Sequence, residues 1–387
     1  MRFPSTASIM RLARRHPTYF CHLIRSKYHF RRRYRWVDAN RENDVPVPMP
    51  LVYRMNLTWR CNLRCRICMV WGETGWKTGS QAGGDTELDW KIIEKVLSYP
   101  HPVDPSYIFN GGEPFLYTRI RELLETCRAG KRFATICTNG LLLDKYEDVL
   151  VDNPYVALVV SLDGFEQTND RLRGPGVYRK VLANIERLRR SRKPPYIGIQ
   201  FTTQPENVGS MYEFVSEMAR RGVDWLLFNF RWFVTDEERK LYASTMTSDF
   251  GVLTPSVDSY ASTLPLDERT FIEQYKRIDA STWPMQISCL LPTAADVVPF
   301  VHSRKIADGE GFCYKQWLRM DILPDGTVTP CVSYPDLGVG DLLEEGLEQV
   351  WNSPLYGRFR KRVTKALLPV CRKCGAIQLY NVKRRYL

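Results

Sequence analysis

From residue 52 to residue 230 the chain repeats one unit: a short apolar run, a polar or glycine-bearing turn, then an amphipathic stretch. The runs are VYRMNLTW (52–59), SYIFN (106–110), FATICTN (133–139), VALVVSLDG (156–164), YIGIQFTT (196–203) and WLLFNF (225–230). The helical patterns between them are TELDWKIIEKVLSY (86–99), with Thr86 as its expected N-cap, YTRIRELLETCRAG (117–130), LLDKYEDVLVDN (142–153), VYRKVLANIERLRRS (177–191) and VGSMYEFVSEMARRG (208–222). Parallel strands need a crossover, usually a helix, and strands covered on both faces read as near-continuous apolar runs. The pattern therefore predicts an α/β fold, an open or partial (β/α)6 barrel with helices outside. In that architecture chemistry sits at the C-terminal ends of the strands. The motifs CNLRC, NGGEP, TNG and SLDG follow the first four strands in turn, so all four are expected on one rim.

The chain is longer than a single compact core organises, and it divides by pattern. Residues 1–50 form a basic N-terminal extension ending in VPVPMP, and 51–230 the barrel. Residues 231–312 lose the rhythm and read as an insertion or cap with one clear helix around Glu268–Asp279. Residues 313–387 form a small C-terminal α+β domain with a hairpin signal, ILPDGTVTP. A hydrophobic fraction of 44% and a charged fraction of 25% exclude wholesale disorder. No apolar run approaches the ~20 residues of a membrane span, and no secretory cleavage site is visible. The expected location is cytoplasmic, where eleven cysteines point to metal or redox chemistry before disulfides.

Cys61, Cys65 and Cys68 follow the first strand. Thiolates are soft ligands suited to zinc or iron–sulfur clusters. A cubane [4Fe–4S] cluster normally takes four, so three leave one iron open. A structural zinc completed by a distant His or Cys is the alternative, and His101 is the nearest histidine in sequence. A second set, Cys313, Cys331, Cys371 and Cys374, has enough thiolates to saturate either a cluster or a zinc ion. Cys127 and Cys137 read as small core residues, and Cys289 as a cap thiol near the mouth.

The spacing of CNLRCRIC resembles that of the radical S-adenosylmethionine (SAM) superfamily. Gly111-Gly112-Glu113-Pro114, Thr138-Asn139-Gly140 and Ser161-Leu162-Asp163-Gly164 match its further motifs in order, over about residues 50–230. The resemblance implies a [4Fe–4S] cluster on Cys61, Cys65 and Cys68, whose open iron takes the amino and carboxylate groups of SAM. Cleavage then releases a 5′-deoxyadenosyl radical. It further implies that Ile67 packs near the adenine, at a position where the family often has an aromatic residue. Gly111 and Gly112 would admit backbone to the methionine moiety, Glu113 would accept from its ammonium, and Asn139, Ser161 and Asp163 would complete the SAM site, the last two at the ribose. The second cysteine set resembles the shortened SPASM or "twitch" auxiliary domain and implies a second [4Fe–4S] cluster. An external electron donor such as flavodoxin or ferredoxin is implied as well.

The function expected on this basis is oxidation of a small-molecule substrate, a sugar, polyol or lipid-linked metabolite, with Gln200, Asn229 and Arg231 as its contacts. Two things motivate it. The segment ahead of the barrel looks too short and too basic for the leader-recognition domain of many peptide-modifying relatives, and the auxiliary domain resembles that of an aminocyclitol dehydrogenase. A peptide maturase is the alternative, and an iron–sulfur or zinc scaffold binding nucleic acid is the non-enzymatic one. Residues 1–37 hold ten Arg/Lys and no acid, as do residues 355–387. The N-terminal segment is read as a charged tail or, preferably, as a peripheral contact to an anionic membrane surface, ahead of nucleic acid. Pro17 should interrupt any helix there.

Overall fold

The computed structural model describes residues 6–77, 86–291, 293–302 and 312–374, and the statements below refer to these. The end of the second basic segment (375–387) and part of the cap (303–311) lie outside the described residues.

All six expected strands form: β1 (Val52–Thr58), β2 (Ser106–Gly111), β3 (Ala134–Thr138), β4 (Val156–Ser161), β5 (Tyr196–Thr203) and β6 (Trp225–Phe230). They pair in sequence order, each parallel to the next. Four more extend the sheet: β7 (Gln286–Cys289), β8 (Arg319–Ile322), β9 (Thr327–Thr329) and β10 (Gly340–Asp341). The order is β10-β9-β8-β1-β2-β3-β4-β5-β6-β7. β7, from the expected cap, lies parallel to β6, and β8, from the C-terminal domain, lies parallel to β1. The barrel sheet thus has eight parallel strands rather than six, and the flanking regions are built into it. β7 escapes sequence reading because QISC is short and only half-buried; β8 does so because RMDI carries Arg319 and Asp321 into buried positions. β8 and β9 form the expected hairpin, with Gly326 at φ +91° in its turn.

The crossover helices bury one face each. Trp90–Ser98 turns Ile92, Ile93, Val96 and Leu97 onto the sheet. Its N-cap is Asp89, whose carboxylate accepts from the Lys91 amide at 2.8 Å, rather than Thr86. A fifteen-residue helix, Asp236–Phe250, was not legible in the cap: it buries only Glu238, Tyr242 and Met246, a stripe too narrow to show as amphipathic periodicity. On β1 the side chains alternate. Tyr53, Met55 and Leu57 pack outward and are fully buried, while Arg54 and Asn56 point into the lumen.

The basic N-terminus is no tail. Helices Thr6–Arg15 and Pro17–Asn40 break at Pro17, as expected, and run across the N-terminal ends of the strands. His22 bonds Ser106 at 2.9 Å and stacks on Phe133 at 3.9 Å, and Tyr19 stacks on Tyr196 at 4.4 Å. Arg15 pairs with Asp224 at 3.1 Å, and Arg33 donates to the carbonyls of Pro48, Met49 and Trp317. Those partners stand at or just before the starts of strands, so the segment floors the barrel and spends several of its arginines doing so. Arg31, Arg32 and Arg35 stay exposed. No helix among the described residues is long and apolar enough to cross a membrane.

Candidate active site

The loop leaving β1 is held by its own backbone. Cys68 donates its amide to Cys65 O at 3.0 Å, and Gly72 to Cys68 O at 2.8 Å. Arg66 N–H reaches Leu172 O at 3.0 Å, docking the loop on the helix Glu166–Arg173. Trp71 N–H points at Cys68 Sγ, 3.4 Å away, while the Trp71 indole donates to Trp59 O at 2.6 Å. Trp59, Trp71 and Leu323 form a separate apolar cluster that packs Cys61, Cys68 and Trp76. Apolar surroundings and amide N–H groups aimed at sulfur are levers that set the potential of a bound cluster.

The NGGEP turn lies on the end of β1. A Cβ at Gly111, where φ is +129°, would meet Thr58 O at 2.3 Å, and one at Gly112 would meet Arg60 O at 2.2 Å. The close approach these glycines permit is therefore to the neighbouring strand, sealed by Gly112 N–H to Thr58 O at 2.7 Å and Glu113 N–H to Arg60 O at 2.8 Å. Glu113 is fully buried and off the cavity wall. Its carboxylate accepts from the Thr138 hydroxyl at 2.7 Å, the Asn139 amide at 2.8 Å and the Phe115 amide at 3.1 Å, tying NGGEP to TNG. Burial pushes its pKa up to about 7 against those donors. Asn139 reaches Asn62 Oδ1 at 2.7 Å and so links TNG to the cysteine loop. Asp163 is also fully buried: it accepts from the Thr202 amide at 2.7 Å and pairs with Arg173 at 2.7 Å. Glu113 and Asp163 thus lie behind the wall and hold the rim loops together.

A cavity of about 500 Å³ opens at the rim. Cys61, Cys65 and Cys68 line one side and Cys313, Cys331, Cys371 and Cys374 another, so the two cysteine sets share one chamber. Ile67, Gly111, Gly112, Asn139 and Ser161 reach its wall, as do Gln200, Asn229 and Arg231. Sequence reading missed Arg54, Asn56, Asn110, Lys315 and Arg319, which also line it. Cys137, expected in the core, faces the lumen, whereas Cys289 on β7 is not on the wall. The missed signal was the alternation of polar residues in VYRMNLT, where every second side chain from Arg54 points inward.

The cap staples the two cysteine loops together. The Tyr260 hydroxyl donates to Ser333 O at 2.5 Å and stands 3.1 Å from Met69 Sδ, next to Cys68. The Thr74 hydroxyl donates to Ser259 O at 3.2 Å, and the Ser256 amide to Asp336 at 3.1 Å.

Among the described residues no three His, Cys, Asp or Glu side chains converge tightly enough for a single metal ion. The seven cysteines line one open chamber, and thiolates are soft donors suited to iron–sulfur clusters. Burial pushes the Cys61 thiol up to about 12 and raises that of Cys371, so loading either set releases protons.

An open parallel sheet with a three-cysteine loop at its rim and a four-cysteine module joined to its first strand defines a radical SAM enzyme with an auxiliary iron–sulfur domain. Residues 55–218 match the Radical SAM superfamily and residues 313–375 the SPASM iron–sulfur cluster-binding domain, and the chain belongs to that superfamily. Its cofactors are SAM and [4Fe–4S] clusters in both domains. It is 24% identical over 350 residues to the antilisterial bacteriocin subtilosin biosynthesis protein AlbA of Bacillus subtilis, a match covering 86% of this chain and 68% of AlbA. It is 29% identical over 183 residues to pre-heme d1 synthase of Dinoroseobacter shibae, covering 46% of this chain and only 42% of that protein. Streptococcus suis SuiB bound to precursor peptide SuiA shares the fold, with a TM-score of 0.59 at 18% identity over 90% of this chain and 74% of that one.

Proposed function

We propose that this protein is a peptide-modifying radical SAM enzyme. Cys61, Cys65 and Cys68 would hold the cluster that binds SAM; Cys313, Cys331, Cys371 and Cys374 would hold the auxiliary one. The observation that carries the reading is the extent of the likeness to a bacteriocin biosynthesis protein. At 86% of the chain it cannot stop at the barrel; it runs into the cap and the cysteine-rich module that form the far wall of the cavity. The likeness to the heme d1 protein spans under half of the chain. The sugar, polyol or lipid-linked substrate expected from sequence gives way to a peptide on this ground. One of its two supports was the segment ahead of the barrel, and that segment forms a structural floor, which says nothing about substrate.

When bound, the first cluster and SAM supply a 5′-deoxyadenosyl radical that removes a hydrogen atom from the substrate. The chain's own residues position that substrate. Gln200 within β5, Asn229 near the end of β6 and Arg231 just beyond β6 face the chamber. Asn229 Oδ1 is buried and has no hydrogen-bond partner among the described residues, so it is available to accept a peptide N–H. Cys313, Cys331, Cys371 and Cys374 would hold a cluster able to accept the electron that the substrate radical gives up as it loses a proton, a net oxidation, and a flavodoxin- or ferredoxin-type donor would supply the electron that the first cluster needs.

The test is anaerobic reconstitution followed by incubation with SAM and the short peptides encoded beside the gene. Peptide-dependent 5′-deoxyadenosine with a changed peptide mass supports the reading. Product formation that depends on a sugar or polyol, with every peptide inert, would overturn it.

A further inference from the structure

Between the two cysteine sets lies a buried knot of charge that the proposed chemistry does not use. Asp321 on β8 is 1% exposed. Lys315 Nζ lies 2.7 Å from its Oδ2, and Arg319 Nε 2.7 Å from its Oδ1. Arg54 stands directly across the β1–β8 pair from Asp321 and lines the cavity, and its buried Nε has no hydrogen-bond partner among the described residues. Two cations therefore meet one carboxylate and a third stands across from it, in an environment that desolvates the group. Burial and the neighbouring Arg319 lower the Arg54 pKa, and Arg319 and Lys315 hold Asp321 below the usual carboxylate range against its burial. Uncompensated positive charge in such a place is costly unless an anion arrives to meet it.

The knot is tied to the auxiliary cysteines by covalent neighbours. Lys315 is two residues from Cys313 and donates to Pro330 O at 2.5 Å, next to Cys331. Gln316 Nε2 donates to Pro330 O at 3.0 Å and lies 3.9 Å from Cys313 Sγ. The Val332 amide, on the other side of Cys331, points to Asp321 at 3.4 Å. Four thiolates around a cubane in its oxidised resting state carry a net charge of about −2, and reduction adds another negative charge.

We propose that Arg54, with Arg319 and Lys315 over Asp321, is the built-in counter-charge of the auxiliary cluster and raises its reduction potential so that it accepts an electron. The inference rests on the four-cysteine ligation proposed above and deepens its electron-acceptor role. Arg54 is the element to vary, because it lies on the cavity wall with its Nε unpartnered among the described residues.

The measurement is an EPR-monitored redox titration of both clusters in the reconstituted full chain, with iron and sulfide assayed on each sample. For R54Q the equilibrium constant for reducing the auxiliary cluster should fall at least tenfold, about 59 mV for one electron. R54K should return it to the wild-type range, and the SAM-binding cluster should keep its potential in both. Loss of the second cluster from R54Q but not from R54K also supports the proposal, since both lack the guanidinium and only Lys keeps the positive charge. An auxiliary potential in R54Q equal to wild type overturns it; a raised peptide KM with that unchanged potential would assign Arg54 to the substrate. Wild-type protein that holds only about four irons would instead refute the ligation itself.

Discussion

Arg173 pairs with the fully buried Asp163 at 2.7 Å, its own side chain mostly covered, while its carbonyl lies 4.0 Å from Cys65 Sγ. One residue therefore joins the SLDG motif to the first cysteine loop. Removing one member of a buried pair leaves the other charge unmet and costs about 3–5 kcal/mol. D163N should lose stability on that scale and retain less iron after desalting, whereas D163N/R173M should recover most of the loss because neither charge remains. Urea unfolding of the two variants checks this, and a double variant no better than D163N would place the effect in the Thr202 contact.

The same substitution should have opposite signs at two glycines. G112A drives a Cβ into the Arg60 carbonyl, and backbone there has little room to move, so a loss of about 1–3 kcal/mol is expected with weakened SAM binding. G357A lies within the helix Pro354–Lys365 with nothing within 4 Å of the new methyl, and should stabilise by about 1 kcal/mol. Chemical denaturation and SAM titration separate the two effects.

C371A/C374A removes the two thiols that close the second set. Iron should fall from about eight to about four per chain, with the SAM-induced change in the EPR spectrum of the first cluster intact. Turnover of peptide should be lost while slow, uncoupled SAM cleavage persists. Oxidation of substrate at the wild-type rate would remove the acceptor role.

These tests follow from what the sequence could and could not display. The six long strands and the rim motifs were legible because buried apolar runs and glycine turns are local signals. β8 was hidden because its charges are neutralised only in three dimensions, by Lys315 and Arg319 closing on Asp321. Glu113 and Asp163 were legible as motif members but not as supports, since their donors come from other loops. The N-terminal helices were misread for a related reason. Arg15 and Arg33 look like solvated charge until Asp224 and a ring of strand-end carbonyls appear beneath them.

Asp224 makes that floor sensitive to acid. It is 95% covered, and lies within 3.2 Å of His16, 3.1 Å of Arg15 and against Arg189; the Ile197 amide donates to it at 3.0 Å. Burial raises its pKa, but His16 and Arg189 outweigh that and hold it at about 2. A carboxyl titrating near 3.9 when unfolded and about 2 when folded contributes about 2.6 kcal/mol, present in full above about pH 5 and lost as pH falls towards 2. Measured on the apoproteins, D224N should therefore unfold at lower urea than wild type at pH 7, and the gap should close as pH falls from 4 to 2. A gap that stays constant over that range would mean that Asp224 acts by packing alone, and that the N-terminal helices are held down by their apolar face rather than by charge.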